Sequence, residues 1–214
     1  MKTVRVPLII LLPCLLAAPH AGAGSLGVTV TDAGGKPVPS AVVTYDPASG
    51  GAANDRSSDK SGAYVMAQRG IKFAPYVLAV PVGATVDFPN QDRVNHHVYS
   101  FSPVQPFQFP LYGPGKKRSL RFDHPGTVAL ACNIHDSMTA YVRVVDEPYF
   151  ATTDEHGRVT LDVPAGSGTL SVWQPQLDAP EHSVSRKLTL SAGPAQQTFG
   201  VKLKGEALPS GGAY

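Results

Sequence analysis

The sequence predicts an all-β protein built from a β-sandwich and a smaller appended β-sandwich module. The 214 residues include 21 Gly and 20 Pro, which is typical of many short strands joined by turns. No amphipathic helical pattern extends beyond about two turns. Short alternating or β-branched runs recur instead, and each is bounded by turn residues. Together these observations favour packed antiparallel sheets over a helical or mixed fold.

The first 23 residues are predicted to be a secretory signal peptide. Lys2 and Arg5 supply the positive end, residues 6–18 are almost wholly apolar, and Ala21-Gly22-Ala23 has the form of a cleavage site. The alternative is a membrane anchor, but the apolar run is well short of the about 20 residues that span a bilayer. We therefore expect export to the periplasm and no membrane span.

Removal of the signal peptide changes the charge and the cysteine content. The remaining chain has 16 basic and 16 acidic residues, which argues against a nucleic-acid partner. It retains a single cysteine, Cys132. A lone thiol in an oxidising compartment cannot form an internal disulfide, so it is either buried and inert or bound to something.

Successive strand signals predict how the chain is divided. Residues 71–147 are short against the about 100 residues of a typical sandwich, so the runs at 26–31 and 41–45 are expected to complete a domain of residues 24–147. In that domain residues 46–66 form an inserted loop. The alternative is a separate small β-domain over residues 24–68.

The rest of the chain is predicted to form the appended module. Residues 148–205 carry further strands at 158–163, 168–173 and 184–190, and residues 206–214 are expected to be a disordered tail. Residues 27–45 and 153–173 share a loose plan of strand, glycine-containing turn and strand, which we attribute to general β-sandwich construction.

Candidate metal ligands are concentrated in residues 132–138, which read Cys-Asn-Ile-His-Asp-Ser-Met. A thiolate, an imidazole and a thioether within seven residues favour copper over Mg²⁺ or Ca²⁺, and structural zinc rarely uses methionine. A trigonal copper site also needs a second histidine. His96 and His97 are the candidates, and in an extended strand only one of them faces the site.

These motifs resemble the cupredoxins, the blue copper proteins. The resemblance rests on residues 80–92, His96, residues 122–127 and the Cys132-x2-His135-x2-Met138 spacing, and it covers residues 71–147 well. The spacing is most similar to the amicyanin and pseudoazurin type, and the longer pattern resembles exported plastocyanin-like proteins labelled methylamine-utilization proteins. The resemblance implies a Greek-key cupredoxin sandwich.

The same resemblance implies one type 1 copper ion bound by His96, Cys132, His135 and Met138. Relatives commonly have Asn after the first ligand histidine, where this chain has His97, so His97 stays an alternative ligand. The ring edge of His135 would reach the surface and pass the electron.

The function expected from these residues is that of an exported one-electron carrier, and copper binding and delivery is the alternative. Multicopper enzymes need additional His-x-His pairs that the chain lacks, so no enzymatic activity is expected. The implied partner is an unidentified redox protein, such as an amine-oxidising enzyme or a cytochrome. The basic run at residues 116–118 is either a solvated loop or a docking contact for an acidic redox partner.

Overall fold

A computed structural model describes residues 23–50 and 64–205, and strands dominate both segments. The prediction of an all-β protein is confirmed, with a three-residue 3-10 turn at Pro180–His182. The strands, in chain order, are β1 (Ala23–Asp32), β2 (Val42–Pro47), β3 (Tyr64–Val65), β4 (Ala67–Gln68), β5 (Phe73–Ala74), β6 (Val77–Pro81), β7 (Ala84–Pro89), β8 (Val98–Ser100), β9 (Phe107–Gln108), β10 (Lys117–Phe122), β11 (Gly126–Cys132), β12 (Thr139–Val145), β13 (Tyr149–Thr152), β14 (Arg158–Pro164), β15 (Gly166–Trp173), β16 (Ser183–Leu190) and β17 (Ala195–Val201).

Residues 64–145 form one sandwich, which we call the central sandwich. Its sheets have the orders β10-β7-β3 and β6-β12-β11-β8-β9, with β4 and β5 paired beside them. Strand β12 buries Ala140, Val142 and Val144, because alternate side chains of a strand face the same side of its sheet. They join Phe88 and Phe122 in one apolar core.

A second sandwich, the terminal sandwich, combines the two ends of the described chain. Its sheets have the orders β14-β1-β17 and β13-β2-β15-β16. The prediction that the strands at 26–31 and 41–45 complete the metal-site domain is therefore wrong. The alternative of a separate β-domain over residues 24–68 is also wrong, because both strands pair with residues beyond 148 and β3 pairs with β7.

The strand order of the two sheets explains why β1 and β2 belong to the terminal sandwich. β1 lies between β14 and β17, and β2 lies between β13 and β15, so each sheet would be split without its N-terminal strand. Strand β1 buries Leu26, Val28 and Val30 in the same core as Leu161 and Phe199. The central sandwich closes its own core with short strands such as β3 and β9 and therefore needs no strand from the N-terminal segment.

An apolar seam joins the two sandwiches. Val77 and Val145 of the central sandwich pack with Val42, Phe150 and Trp173 of the terminal sandwich. The ring of Tyr141 meets that of Trp173 edge-on with a centroid separation of 6.2 Å. The two sandwiches therefore share an apolar contact in addition to their separate cores.

Two predicted segments lie largely outside the described residues. The signal peptide does so apart from Ala23, which begins β1, and residues 206–214 do so entirely. Of the predicted inserted loop, residues 51–63 also lie outside them. Within the described residues, no helix has the length and apolar character that crossing a bilayer requires.

Candidate metal centre

A short loop connects the end of β11 to the start of β12 at one end of the central sandwich. Cys132 ends β11 opposite Val98 of β8, and Thr139 begins β12 opposite Ala131. The peptide N–H of Met138 donates a 2.9 Å hydrogen bond to the carbonyl of His135, which closes the loop. The two strands therefore fix both ends of the segment in which the sequence concentrates its candidate ligands.

The structure brings together His96, Cys132 and His135. The Sγ of Cys132 lies 3.7 Å from Nδ1 of His96 and 3.7 Å from Nδ1 of His135. One donor atom from each residue lies within 4.8 Å of the other two. These three side chains could therefore hold one metal ion between them.

Burial differs across this His–Cys–His cluster. His96 is fully buried, Cys132 is 3% exposed, and His135 is half-buried. Cys132 is a free thiol. His135 is the most exposed of the three side chains, so solvent reaches the cluster chiefly at its imidazole.

Asp92 orients the ring of His96. Its Oδ2 lies 2.8 Å from Nε2 of His96. Partial burial opposes ionisation of Asp92, but hydrogen bonds from His96 and from the amides of Ile71 and Gly70 outweigh it and keep its pKa below the usual range. An ionised carboxylate only accepts, so Nε2 of His96 donates to Asp92, and Nδ1 is the ring nitrogen that faces Cys132.

The remaining support for His96 comes from Tyr112 and Asn90. His96 and Tyr112 exchange two backbone hydrogen bonds of 3.0 Å each. The side-chain amide of Asn90 donates to the backbone carbonyls of Val94 and Tyr112. The Tyr112 hydroxyl donates to Gln68, and burial raises the pKa of Tyr112, so it stays protonated. The buried side chains of Asn90, Gln68 and Tyr112 are thereby paired.

Met138 ends the 132–138 loop that carries Cys132 and His135. It is 1% exposed and belongs to the same apolar core as Cys132. Its burial in that core shields the thioether from water. Met138 therefore stays a candidate fourth ligand.

His97 faces away from the cluster. Its Nε2 lies 2.8 Å from the side-chain amide nitrogen of Gln108, and its ring stacks near Tyr99. The carbonyl of His97 accepts a 3.2 Å hydrogen bond from the amide of Asn133. Backbone atoms therefore tie β8 to the 132–138 loop, and His96 is the histidine that joins Cys132.

The sequence reasoning missed Asp92. It stands four residues before His96, and nothing in that spacing distinguishes it from an ordinary turn aspartate. A possible signal was the run Asn90-Gln91-Asp92, because Asn90 Oδ1 accepts from the Asp92 amide and so shapes the turn. The carboxylate reaches the imidazole only in this folded turn.

A two-sheet β-sandwich with one cysteine and two histidine nitrogens at one end is cupredoxin-like, as predicted. Its cysteine and second histidine come from the loop after β11, and its first histidine comes from just before β8.

Comparisons with known proteins give similarities to part of this chain. Neither the protein-family models nor the curated proteins include a match. A proline-to-glycine mutant of amicyanin in its reduced Cu(I) form is 29% identical, with 39% of this chain and 83% of amicyanin covered and a TM-score of 0.38. The purple cupredoxin from Nitrosopumilus maritimus is 23% identical over 38% of this chain and 99% of its own, with a TM-score of 0.36.

A larger copper protein is also similar. The copper-containing nitrite reductase NirK from Thermus scotoductus SA-01 is 29% identical over 39% of this chain, with a TM-score of 0.38. This chain spans only 22% of the nitrite reductase.

Proposed function

We propose that this protein is an exported type 1 copper protein that carries one electron at a time between redox partners. The observation that carries the proposal is the His–Cys–His cluster, in which Cys132 Sγ lies 3.7 Å from each Nδ1. His96, Cys132 and His135 are the proposed ligands, with Met138 as a weak fourth. Residues 1–23 are the proposed export signal.

The spacing of the donor atoms fits a small transition-metal ion. Metal–nitrogen bonds of about 2.0 Å and metal–sulfur bonds of about 2.3 Å, at trigonal angles, place sulfur and nitrogen about 3.7 Å apart. The spacing between Sγ and each nitrogen is close to that value. One thiolate, two imidazoles and a buried thioether select copper over the hard cations.

Bound copper would supply a one-electron change between Cu(I) and Cu(II). The chain's own residues would keep the site nearly unchanged across that step. Asp92 fixes the orientation of the His96 ring. Strand pairing at Val98 and Ala131 fixes Cys132, and burial excludes water from its sulfur. A rigid, dry donor set lowers the reorganisation that electron transfer requires.

The half-buried ring of His135 is the proposed point of electron exchange. Its Nδ1 faces Cys132, while His96 is fully buried behind it. An electron therefore crosses one imidazole between the cluster and a docked partner. The buried cluster suits a resident ion better than a cargo ion, because copper delivery requires ligands that an acceptor can reach.

A carrier role also agrees with the number of clusters. Within residues 23–50 and 64–205, the group of three or more metal-ligating side chains that could hold an ion is the His–Cys–His cluster. Substrate turnover by multicopper enzymes requires a further copper group. We therefore propose a carrier without enzymatic activity.

Voltammetry of the copper-loaded protein, combined with a transfer assay, tests this function. We expect a reversible one-electron wave at a carbon electrode and retention of copper when a high-affinity Cu(I) chelator is present at equal concentration. A colourless protein that holds only Cu(I) and releases it to the chelator, with no reversible wave, would instead identify a copper-delivery protein.

A further inference from the structure

We propose that a cleft between the two sandwiches binds a short, uncharged polypeptide segment in extended conformation. The cleft is a cavity of about 420 Å³, walled by strand β6 of the central sandwich and strand β13 of the terminal sandwich. A cavity of this size at a boundary between two folded units is typical of a binding site. None of the four candidate copper ligands lines it, so the cleft is a site separate from the metal centre.

The cavity meets both strands along their edges. It is lined by the consecutive residues 77–79 of β6 and by residues 150–152 of β13. Successive side chains of a strand point to opposite faces, so a cavity that touches consecutive residues approaches the strand from its edge. In the described part of the chain, β6 and β13 are each the outermost strand of their sheet. Such an edge offers backbone N–H and C=O groups to a further strand.

The pairing of β6 with β12 shows which backbone groups face the cleft. The amide of Val82 donates to the carbonyl of Val145, and the carbonyl of Tyr76 accepts a hydrogen bond from β12. Backbone groups of successive residues point to opposite edges of a strand, so the even-numbered residues of this segment bond β12. The amides and carbonyls of Val77 and Ala79 therefore point away from β12, along the cleft edge.

Strand β13 presents its own backbone groups in the same way. The amide of Thr153 donates to the carbonyl of Ala41, so the odd-numbered residues bond the β2 side. The amides and carbonyls of Phe150 and Thr152 point away from β2. Val77 and Phe150 are each only 3% exposed, and buried backbone groups are nearly always paired. A peptide backbone supplies the alternating donors and acceptors that both edges require, whereas a small apolar molecule leaves these groups unpaired.

Prolines limit the length of the segment that β6 can pair with. Pro75 and Pro81 flank the strand at odd-numbered positions and have no N–H to donate. The donors between them are the amides of Val77 and Ala79, which are two residues or about 6.7 Å apart, as in a fully extended partner chain. The window therefore fits a segment of about three residues and stops a longer strand from pairing along this edge.

The side chains around the cleft specify an uncharged occupant. Among the described residues that line it, none carries a formal charge. The side chains are apolar or bear hydroxyl groups, and they include Ser40, Tyr64, Pro75, Leu78, Thr152 and Val159. Burying a charged group without a partner is costly, so charged side chains are excluded. The cleft therefore accepts apolar and hydroxyl-bearing side chains of modest size.

NMR of the full isotope-labelled protein tests the proposal with the blocked tripeptide acetyl-Val-Thr-Val-amide as the probe. We expect amide shifts at Val77, Ala79, Phe150 and Thr152, and slower hydrogen exchange at the first two. The control probe is the same peptide methylated on the backbone nitrogen of each residue, which keeps the side chains but cannot donate. We expect it to bind at least about tenfold more weakly, because it cannot make the hydrogen bonds to the strand edges.

The variant Ala79→Pro tests the strand edge from the protein side. It removes an N–H that faces the cleft and leaves the pairing with β12, and proline is tolerated at such edge positions. The matched control is Ser119→Pro on β10, another outermost strand. There the amide of Asn90 donates to the carbonyl of Lys116, so the N–H of Ser119 also points outward. We expect Ala79→Pro to weaken peptide binding about tenfold and the control to stay within about twofold of the wild type.

The remaining outcomes overturn the proposal. Methylated and unmethylated peptides that bind equally well, with 1-octanol shifting the same amides, would make the cleft a site for small apolar molecules. Dimers of this chain that shift these amides without peptide would assign the edges to a second copy. An absence of shifts at the solubility limit of the peptide would mean that the edges bind no segment. The methylated peptide keeps the test decisive even where Ala79→Pro does not fold.

Discussion

Replacing Cys132 with serine is expected to abolish the intense visible absorption that the protein acquires with Cu(II). The absorption of a type 1 site comes from charge transfer from the cysteine thiolate to copper, and a serine hydroxyl does not ionise to replace it. Serine is close to cysteine in size, so this buried position should keep its packing. Visible spectra of both proteins with one equivalent of Cu(II) make the measurement.

Met66→Leu is the matched control for this prediction. Met66 is a fully buried sulfur residue of the same core and lies outside the 132–138 loop. Its replacement should keep the colour and cost less than about 1.5 kcal/mol of stability. A Cys132→Ser protein that keeps the band, or a wild type that binds Cu(II) without one, would refute the role of Cys132.

Leu26→Ala is expected to destabilise the terminal sandwich by about 2–5 kcal/mol, because it removes a fully buried side chain from the middle strand of a sheet. Trp173, the single tryptophan, lies on β15 of that sandwich and reports its unfolding by fluorescence. The measurement is denaturant unfolding followed both by fluorescence and by the copper absorption band.

Leu130→Ala is the matched change in the central sandwich, on β11 two residues before Cys132. We expect Leu26→Ala to lower chiefly the fluorescence midpoint and Leu130→Ala to lower chiefly the copper-band midpoint. A Leu26→Ala protein whose colour is lost first, with the fluorescence transition unchanged, would mean that β1 belongs to the central sandwich.

The candidate ligands could be proposed from the sequence because most of them are close together in the chain. Cys132, His135 and Met138 fall within one seven-residue segment. The sequence has only two Cys and three Met, so a thiol and a thioether this close to an imidazole indicate a site for a soft metal ion. Only the first histidine needed a distant segment. The period-two rule left the choice between His96 and His97 open, and the structure brings His96 to Cys132.

The pairing of the N-terminal strands could not be predicted in the same way. The apolar alternation of β1 shows that one face is buried, but it does not show against which core. The shared plan of residues 27–45 and 153–173 was the available signal, since β1 pairs with β14 and β2 with β15. The comparison with a typical sandwich of about 100 residues instead favoured adding the N-terminal strands to the domain of residues 71–147. The central sandwich is smaller than that because several of its strands have only two or three residues.

The contact that orients the ring of His96 also could not be predicted from the sequence. The bond between Asp92 and His96 forms because a turn places both residues against the amides of residues 70 and 71.

X-ray absorption at the copper edge of the loaded protein tests the central claim most directly. We expect one short copper–sulfur distance and two copper–nitrogen distances from imidazole, with the short copper–sulfur distance absent in Cys132→Ser. A first coordination shell made only of nitrogen and oxygen in the wild type would contradict the proposal that His96, Cys132 and His135 hold one copper ion.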